Sequence, residues 1–429
     1  MPQPAPDDLL LSAFGPGASY ANAFARRSAD SYFSPTPDET DDLCSALPLT
    51  LTRGAVRVWC DPRTVSDATW GLLRELGVAL GDREQVSALP EGLRSTLGSE
   101  AWCEAWITLL AAQSPARALR LAQPFVDARL EDRYRIPAEL CRMVNDKAAL
   151  PRLVPAAAPP PRLLALGSGA ALAAHPWPGR CIVKVSGSCA GAGVFPCADA
   201  ADWDRAVQRV ATLPGEVVVE RWIDVVRNLD VEFLVPADPS LPPQILGAVE
   251  QVVDASLKLC GGVCRPAWPA AALEVITRRL TDEILPALRA LGWHGVGGFD
   301  VLVDRAGEVW FMDPNLRLTD FTAPLMRSLR CREGESLLIL PYATFEGTLD
   351  DFRRVAAPLA REGTAEQELA VLGLLDDGER LVVQAGLLFR SPAELVARAR
   401  RWQALGLRAR ALELAEPIAA SEAVSGRPG

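Results

Sequence analysis

Histidine and lysine are scarce in this 429-residue chain: there are two histidines, His175 and His294, and three lysines, Lys147, Lys184 and Lys258. A Ser-His-Asp or Cys-His hydrolase would have to be built on one of those two rings. The other 41 basic residues are arginines. Arginine serves for generic surface charge, so each lysine is a candidate for a place that wants a compact ammonium. No apolar run approaches the roughly 18–20 residues that cross a bilayer. The opening MPQPAPDDLLLSAFGPG has no basic region ahead of its short apolar stretch, so a signal peptide is not expected. The ten cysteines lack the paired spacings of a zinc site, and Cys260 and Cys264 stand as an isolated CxxxC. They read as free thiols of a reducing compartment. Basic surface is also missing: the net charge is −10 and the pI about 5.0. That excludes generic binding to nucleic acid or to an anionic membrane. Apolar residues make up 49% and the mean hydropathy is +0.11, which supplies a core and excludes wholesale disorder. The expectation is a soluble, cytoplasmic protein.

At roughly 100–200 residues per domain, the length predicts two to four domains. Residues 1–48 carry few periodic signals. Ala55–Cys60 reads as a buried strand, and Trp70–Leu80, Ala101–Ala112 and Pro115–Leu121 have helical spacing. Residues 150–180 have the Pro/Ala composition of a semi-rigid connector. A strand, Cys181–Val185, leads into a Gly-rich loop, then a helix from about Asp202 to Leu213 with Asp202 as N-cap. Strands follow at Val217–Val219, Val231–Val235 and Ile245–Val249. Ala271–Leu291 reads as an amphipathic helix kinked at Pro286. Gly298–Val303 and Glu308–Met312 form a hairpin turning at Gly307. Arg332–Gly429 reads as a separate α/β piece, with Ser391 and Glu394 forming a capping box around a helix that starts at Pro392.

Three features carry chemistry. The loop Ser186-Gly187-Ser188-Cys189-Ala190-Gly191-Ala192-Gly193 frees backbone N–H groups for an anion, with Lys184 just ahead of it. Such a loop binds phosphate or is only a turn, and it fits neither the P-loop nor the Rossmann spacing. Glu220-Arg221-Trp222-Ile223 ends an apolar strand and can offer backbone groups to a planar heterocycle, with Asp230 ten residues on as a ribose ligand; the bland alternative is an edge strand entering a loop. The hairpin is the strongest signal. It places Asp300 opposite Asp313 and Asn315, three oxygen donors suited to Mg²⁺ shared with phosphate, and Arg317 within reach of a phosphoryl group or carboxylate. His294, among glycines and Trp293, reads as a packing residue.

Lys147, Lys184 with its Gly-rich loop, Glu220 to Ile223, Asp300 and Asp313 to Arg317 occur in the order and approximate spacing of ATP-grasp enzymes, which this chain resembles over about residues 145–330. The resemblance implies an α/β and α+β fold in which two subdomains grip ATP, preceded by an N-terminal α/β domain and followed by a C-terminal α/β extension. The implied boundaries are 1–140, 141–219 for the small subdomain and lid, 220–330 for the large subdomain, and 331–429. It also implies that Lys147 and Lys184 contact phosphates, with Lys184 and Arg317 as the catalytic residues. Ser186, Gly187, Ser188, Gly191 and Gly193 would cover the phosphates, Glu220, Arg221, Trp222 and Ile223 would hold adenine, and Asp230 the ribose. Asp300, Asp313 and Asn315 would hold two Mg²⁺ ions, for which Mn²⁺ can substitute. One departure is Asp313, where the family usually has Glu.

The implied activity is an ADP-forming ligase that activates a carboxylate as an acyl phosphate and joins it to an amine, with an amino-acid or peptide ligase of natural-product assembly as the nearest analogy. Its partners would be small-molecule carboxylates and amines, with a homodimer allowed. Two other readings stay open: a carboxylase-type enzyme, for which no Met-Lys-Met biotin segment is present, and a catalytically degenerate ATP-binding regulator. Leu257–Ala267 is a candidate specificity loop.

Overall fold

A computed structural model of the protein describes residues 8–24, 47–88, 100–113, 119–124, 127–188, 193–213, 215–254, 257–265, 270–376 and 378–425. The strands among them form three sheets. The first is parallel and N-terminal: β1 (Ser19–Phe24), β2 (Arg57–Cys60), β3 (Val86–Ala88) and β4 (Leu119–Gln123), in the order β3-β2-β1-β4. Three of its strands, β1, β3 and β4, depart from the sequence reading, which marks only β2. β1, and the helix Leu9–Phe14 before it, lie in the stretch that shows little periodicity. The helix has only six residues, too few for a repeat, and it is fixed by Asp8 capping the Leu11 N–H and by burial of Leu9, Leu10, Ala13 and Phe14. β4 overlaps the segment with helical spacing. Its Ala, Leu and Arg residues favour helix, but pairing with the central strand β1 overrides that weak preference.

The second sheet is antiparallel: β5 (Arg162–Leu166), β6 (Cys181–Val185), β7 (Val194–Cys197) and β8 (Val217–Arg221), ordered β5-β8-β6-β7. β5 falls inside the stretch with connector composition, so that stretch is part of a sheet. The helix Ala200–Val210 packs Trp203, Ala206 and Val210 against Val183, Val185, Val217 and Val219. Its N-cap is Asp199, not Asp202. Asp202, three residues in, accepts from the Ala198 N–H instead.

The third sheet has nine strands: β9 (Val225–Val235), β10 (Gln244–Val253), β11 (Leu259–Cys264), β12 (Gly295–Asp304), β13 (Val309–Asn315), β14 (Ser336–Phe345), β15 (Leu369–Asp376), β16 (Leu381–Phe389) and β17 (Leu407–Arg408). Eight run in the order β13-β12-β9-β10-β11-β14-β16-β15, and β17 pairs with β14. Alternation along β9 decides which face does what. Leu229, Val231, Phe233 and Val235 pack with Ile276, Leu280, Ile284 and Leu288 of the helical segment on one side. Asn228, Asp230 and Glu232 therefore point to the other. That helical segment is interrupted by a π-turn at Leu280–Ile284. Pro286 lacks the N–H that would donate to Asp282, and the wider turn absorbs the break. Pro314 is tolerated in β13 because β13 is an edge strand.

Residues 336–408 join this same sheet through the β11–β14 ladder, so the tail is not a sheet of its own. Ser391 caps the Glu394 N–H, while the Glu394 carboxylate takes the Arg390 N–H, one residue outside a true capping box. β11 replaces the expected specificity loop. Gly261 and Gly262 let it press into the core: a Cβ at Gly261 would stand 2.5 Å from the Ile339 carbonyl oxygen. We expect Gly261→Ala to lower stability by about 1–3 kcal/mol, the usual size of overpacking. Urea denaturation checks this, and a loop position would leave the midpoint unchanged.

Candidate active site

Lys184 lies on β6 between Val183 and Val185, which face the small core, so its side chain emerges on the opposite face, toward the large sheet. It is 1% exposed. Its ammonium lies 3.1 Å from Asp313 Oδ1 and 3.0 Å from Glu220 Oε2. Lys147 reaches the same acid from another element: its Nζ is 3.6 Å from Asp313 Oδ2 and donates to the Ser188 carbonyl at 2.6 Å. The two residues before Lys147 hold it in place. Asn145 Oδ1 accepts from the Leu316 N–H at 2.7 Å, and Asp146 Oδ1 accepts from the Ser186 hydroxyl at 2.7 Å and from the Ala148 and Ala149 N–H groups. Sequence reasoning passes over both. Their only signal is a pair of turn-forming residues directly ahead of a rare lysine.

Burial alone would lower the Lys184 ammonium, but Asp313 and Glu220 outweigh it and raise its pKa. Burial likewise would raise Asp313, and Lys147 and Lys184 together hold it below the usual carboxylate range. At Glu220 burial wins: the carboxyl is raised despite Lys184, whose charge is shared with Asp313.

Asp300 pairs with Asp313 in the β12–β13 ladder and with Asp230 in the β12–β9 ladder, so the three acids share one face. Burial and the Asp313 charge push the Asp300 carboxyl up to about 7. Gln251 Nε2 donates to Asp300 Oδ1 at 2.7 Å and Asn315 Nδ2 at 3.3 Å. Arg317 Nη2 donates to Asn315 Oδ1 at 3.0 Å. Glu232 is fully buried, accepts from Thr319 and Thr322, and is pushed up to about 7, chiefly by burial.

Several expected contacts are revised. Asp230 is buried beside Asp300 and Glu232 rather than presented at the hinge, and desolvation raises it well above the ordinary range. The Ser186 and Ser188 groups are already committed. The Ser186 N–H donates to Glu216, the Ser188 N–H and hydroxyl to Val185, and the Ser186 hydroxyl to Asp146. They anchor the base of the loop. Gly187 and Gly193 flank that base, while Cys189, Ala190, Gly191 and Ala192 lie outside the described residues. The Glu220 side chain lies under Lys184, and the Arg221 and Trp222 N–H groups donate to Pro161 and Arg180. The Arg180 guanidinium stacks on Trp222 at 4.4 Å. Ile223, next in the hinge, is half-buried. His294 hydrogen-bonds the Ala13 carbonyl and is pushed down to about 4 by burial, a packing residue.

The donor set of Asp300, Asp313 and Asn315 is all oxygen, which fits a hard divalent cation sharing its shell with phosphate. Burial and the adjacent Asp313 charge both raise the Asp300 carboxyl, and a cation bound there would offset both. Among the described residues no three His, Cys, Asp or Glu side chains form a ready-made metal cage. A cation would therefore draw its other ligands from elsewhere.

Residues 172–315 match the family model described as L-aspartate–L-methionine ligase, ATP grasp. Over 140 residues the chain is 29% identical to a D-alanine–D-alanine ligase of Anaeromyxobacter sp. (strain K), which is 32% of this chain and 43% of that protein. The chain thus spans less than half the length of this relative. Among solved structures it resembles N5-carboxyaminoimidazole ribonucleotide synthetase in its ADP complex, with TM-score 0.54, 12% identity and coverage of 91% and 96% of the two chains. It also resembles an L-amino acid ligase from Bacillus licheniformis, with TM-score 0.52, 14% identity and coverage of 89% and 98%. The chain has the ATP-grasp fold. The lysine–Asp313 cluster joins the small sheet β5–β8 to the sheet around β9–β13. No helix among the described residues is long and apolar enough to cross a membrane.

Two outcomes follow from the electrostatics. Lys184→Met leaves Glu220 without its cation and Asp313 with only one, so we expect a loss of about 3–5 kcal/mol. Adding Glu220→Gln should restore part of it in urea denaturation. The second concerns pH. A carboxyl raised in the folded state binds its proton more tightly there, so its contribution to stability falls as pH rises from the unfolded value of roughly 4 to about 7 for Asp300. Asp313, being lowered, loses its contribution as pH falls through its folded value. Ligand-free protein should therefore lose stability as pH is raised through this window. Asp300→Asn should flatten that slope in a pH series of denaturation curves.

Proposed function

We propose that this chain is an ADP-forming carboxylate–amine ligase. The observation that carries the reading is the convergence of Lys147 and Lys184, from separate elements, on Asp313, with Arg317 resting on Asn315 two residues further on. A carboxylate oxygen of the first substrate attacks the terminal phosphorus of ATP and ADP leaves. The amine nitrogen of the second attacks the acyl carbon, and phosphate departs with the C–O electron pair.

Such chemistry needs positioned charge rather than a protein nucleophile. Lys147 and Lys184 hold phosphate oxygens in the bound nucleotide. Arg317 faces charge that develops as the phosphoryl group moves or the acyl phosphate is attacked. Gly187 and Gly193 border the phosphates, and the Glu220–Ile223 hinge borders adenine through Ile223. Asp300, Asp313 and Asn315 would hold Mg²⁺, which supplies neutralisation of phosphate charge when bound. The matched family model and the relative named above both join amino acids, and we place this chain's substrates in that class.

ADP release from a panel of amino acids, alone and in pairs, tests the activity. Nucleotide turnover that never depends on an acceptor would overturn it. Arg317→Ala should bind ATP nearly as the parent does but lose roughly 100- to 1,000-fold in kcat, whereas Lys184→Ala should weaken ATP binding as well. Calorimetric affinity beside single-turnover ADP formation separates the two. Equal loss of ATP binding in both variants would remove Arg317 from the reacting centre.

A further inference from the structure

Gln251 has no role in any of the steps above, yet it makes the shortest hydrogen bond to Asp300. Its strand, β10, is separated from β12 by β9, so the two side chains and the hydrogen bond between them together span two strand spacings, about 9–10 Å. The Gln251 side chain passes over Asn228, whose position pairs with Leu302 on β12. The orientation of its amide is not arbitrary. The 2.7 Å contact has Gln251 Nε2–H donating to Asp300 Oδ1, the direction that an ionised carboxylate, an acceptor only, requires. That turns Gln251 Oε1 toward Asn228 Nδ2, 3.5 Å away, which braces it from behind. The same logic orients Asn315: Nδ2 donates to Asp300 and Oδ1 accepts from Arg317. One chain of polar side chains thus runs Asn228–Gln251–Asp300–Asn315–Arg317 across the sheet face. Asp300 Oδ1 carries both of these donors.

We propose that Gln251 is a positioning residue that fixes the Asp300 carboxylate, and through it Asn315, for a divalent cation. The proposal rests on the reading of Asp300 as a cation ligand. The Gln251 and Asn315 amides hold Asp300 Oδ1 from two sides, which sets the direction in which the carboxylate faces. A partner that orients a ligating carboxylate typically governs 10- to 100-fold in metal affinity.

The test uses the full chain with saturating ADP and Mn²⁺ as the probe, free Mn²⁺ being followed by electron paramagnetic resonance. Gln251→Met keeps length and volume but removes the donor. It should weaken Mn²⁺ binding roughly 10- to 100-fold with the thermal midpoint nearly unchanged. Gln251→Asn keeps the amide but falls one methylene short and should behave as Gln251→Met does. Asn228→Ala removes only the brace and should show a smaller loss, which keeps the test open if a Gln251 variant folds poorly. Mn²⁺ affinity equal to the parent's in Gln251→Met, with affinity lost in Asp300→Asn, overturns the positioning role alone. Unchanged affinity in both overturns the reading of Asp300, and this proposal with it. A fall in the thermal midpoint without a change in Mn²⁺ affinity marks Gln251 as merely structural and also overturns it.

Discussion

The Asp313 carboxylate is shared by two buried ammonium groups, and the geometry of the site hangs on that sharing. Its two oxygens face Lys184 and Lys147 separately. Lys184 belongs to the small sheet, Lys147 to the segment leading into it, and Asp313 to the edge strand of the large sheet. One acid therefore ties together three pieces of chain that are distant in sequence. Without it, two cations would lie buried beside each other, repelling and unsolvated, at a cost of several kcal/mol. Glu220 alone could not replace it, since its own carboxyl stays raised even at 3.0 Å from Lys184.

In this arrangement the motif at 313–317 engages all three cations that the proposed chemistry needs. Asp313 holds the two lysines and Asn315 holds Arg317. Phosphate oxygens are better partners for the lysines than a single shared carboxylate, because each ammonium could then have an anion of its own. A cation placed among Asp300, Asp313 and Asn315 would in turn compensate the acid that the lysines leave. The lysines and Asp313 thus start out paired with one another, and each gains a partner of its own in the exchange. Preorganised charge of this kind avoids reorganisation at the moment of reaction.

The legible parts of this protein were those in which residue type and local pattern coincide. The β12–β13 hairpin was legible because Gly307, at φ 83°, marks the turn and alternating apolar residues mark the strands. The π-interruption was legible as Pro286. The scarcity of lysine drew attention to Lys147 and Lys184, which do converge. What stayed hidden depends on partners far away in the chain. β4 looks helical until β1 pairs with it, and β11 looks like a Gly-rich loop until Ile339 presses against Gly261. The neighbour of Asp230 was hidden too, because spacing in sequence does not say which strand pairs with which; the β9–β12 register puts it beside Asp300. Gln251 gave no signal at all, since its target lies 49 positions away on a non-adjacent strand.

The shorter acid at position 313 also has a physical account. An aspartate carboxylate is one methylene closer to its backbone than a glutamate, and Pro314 restricts that backbone further. The reach must then come from the partners. Lysine provides it, with a four-carbon stem that buries along apolar surface while placing a compact charge at its end. Lys184 is 1% exposed and Lys147 7% exposed, so both stems are packed rather than loose. Arginine in either place would bring a wider, planar fork whose five donors need several acceptors, and the described cluster offers Asp313, Glu220 and the Ser188 carbonyl. In a chain that uses arginine for 41 of its 44 basic residues, lysine at these two positions supplies the long, narrow cation that reaches a short acid on an edge strand among few acceptors.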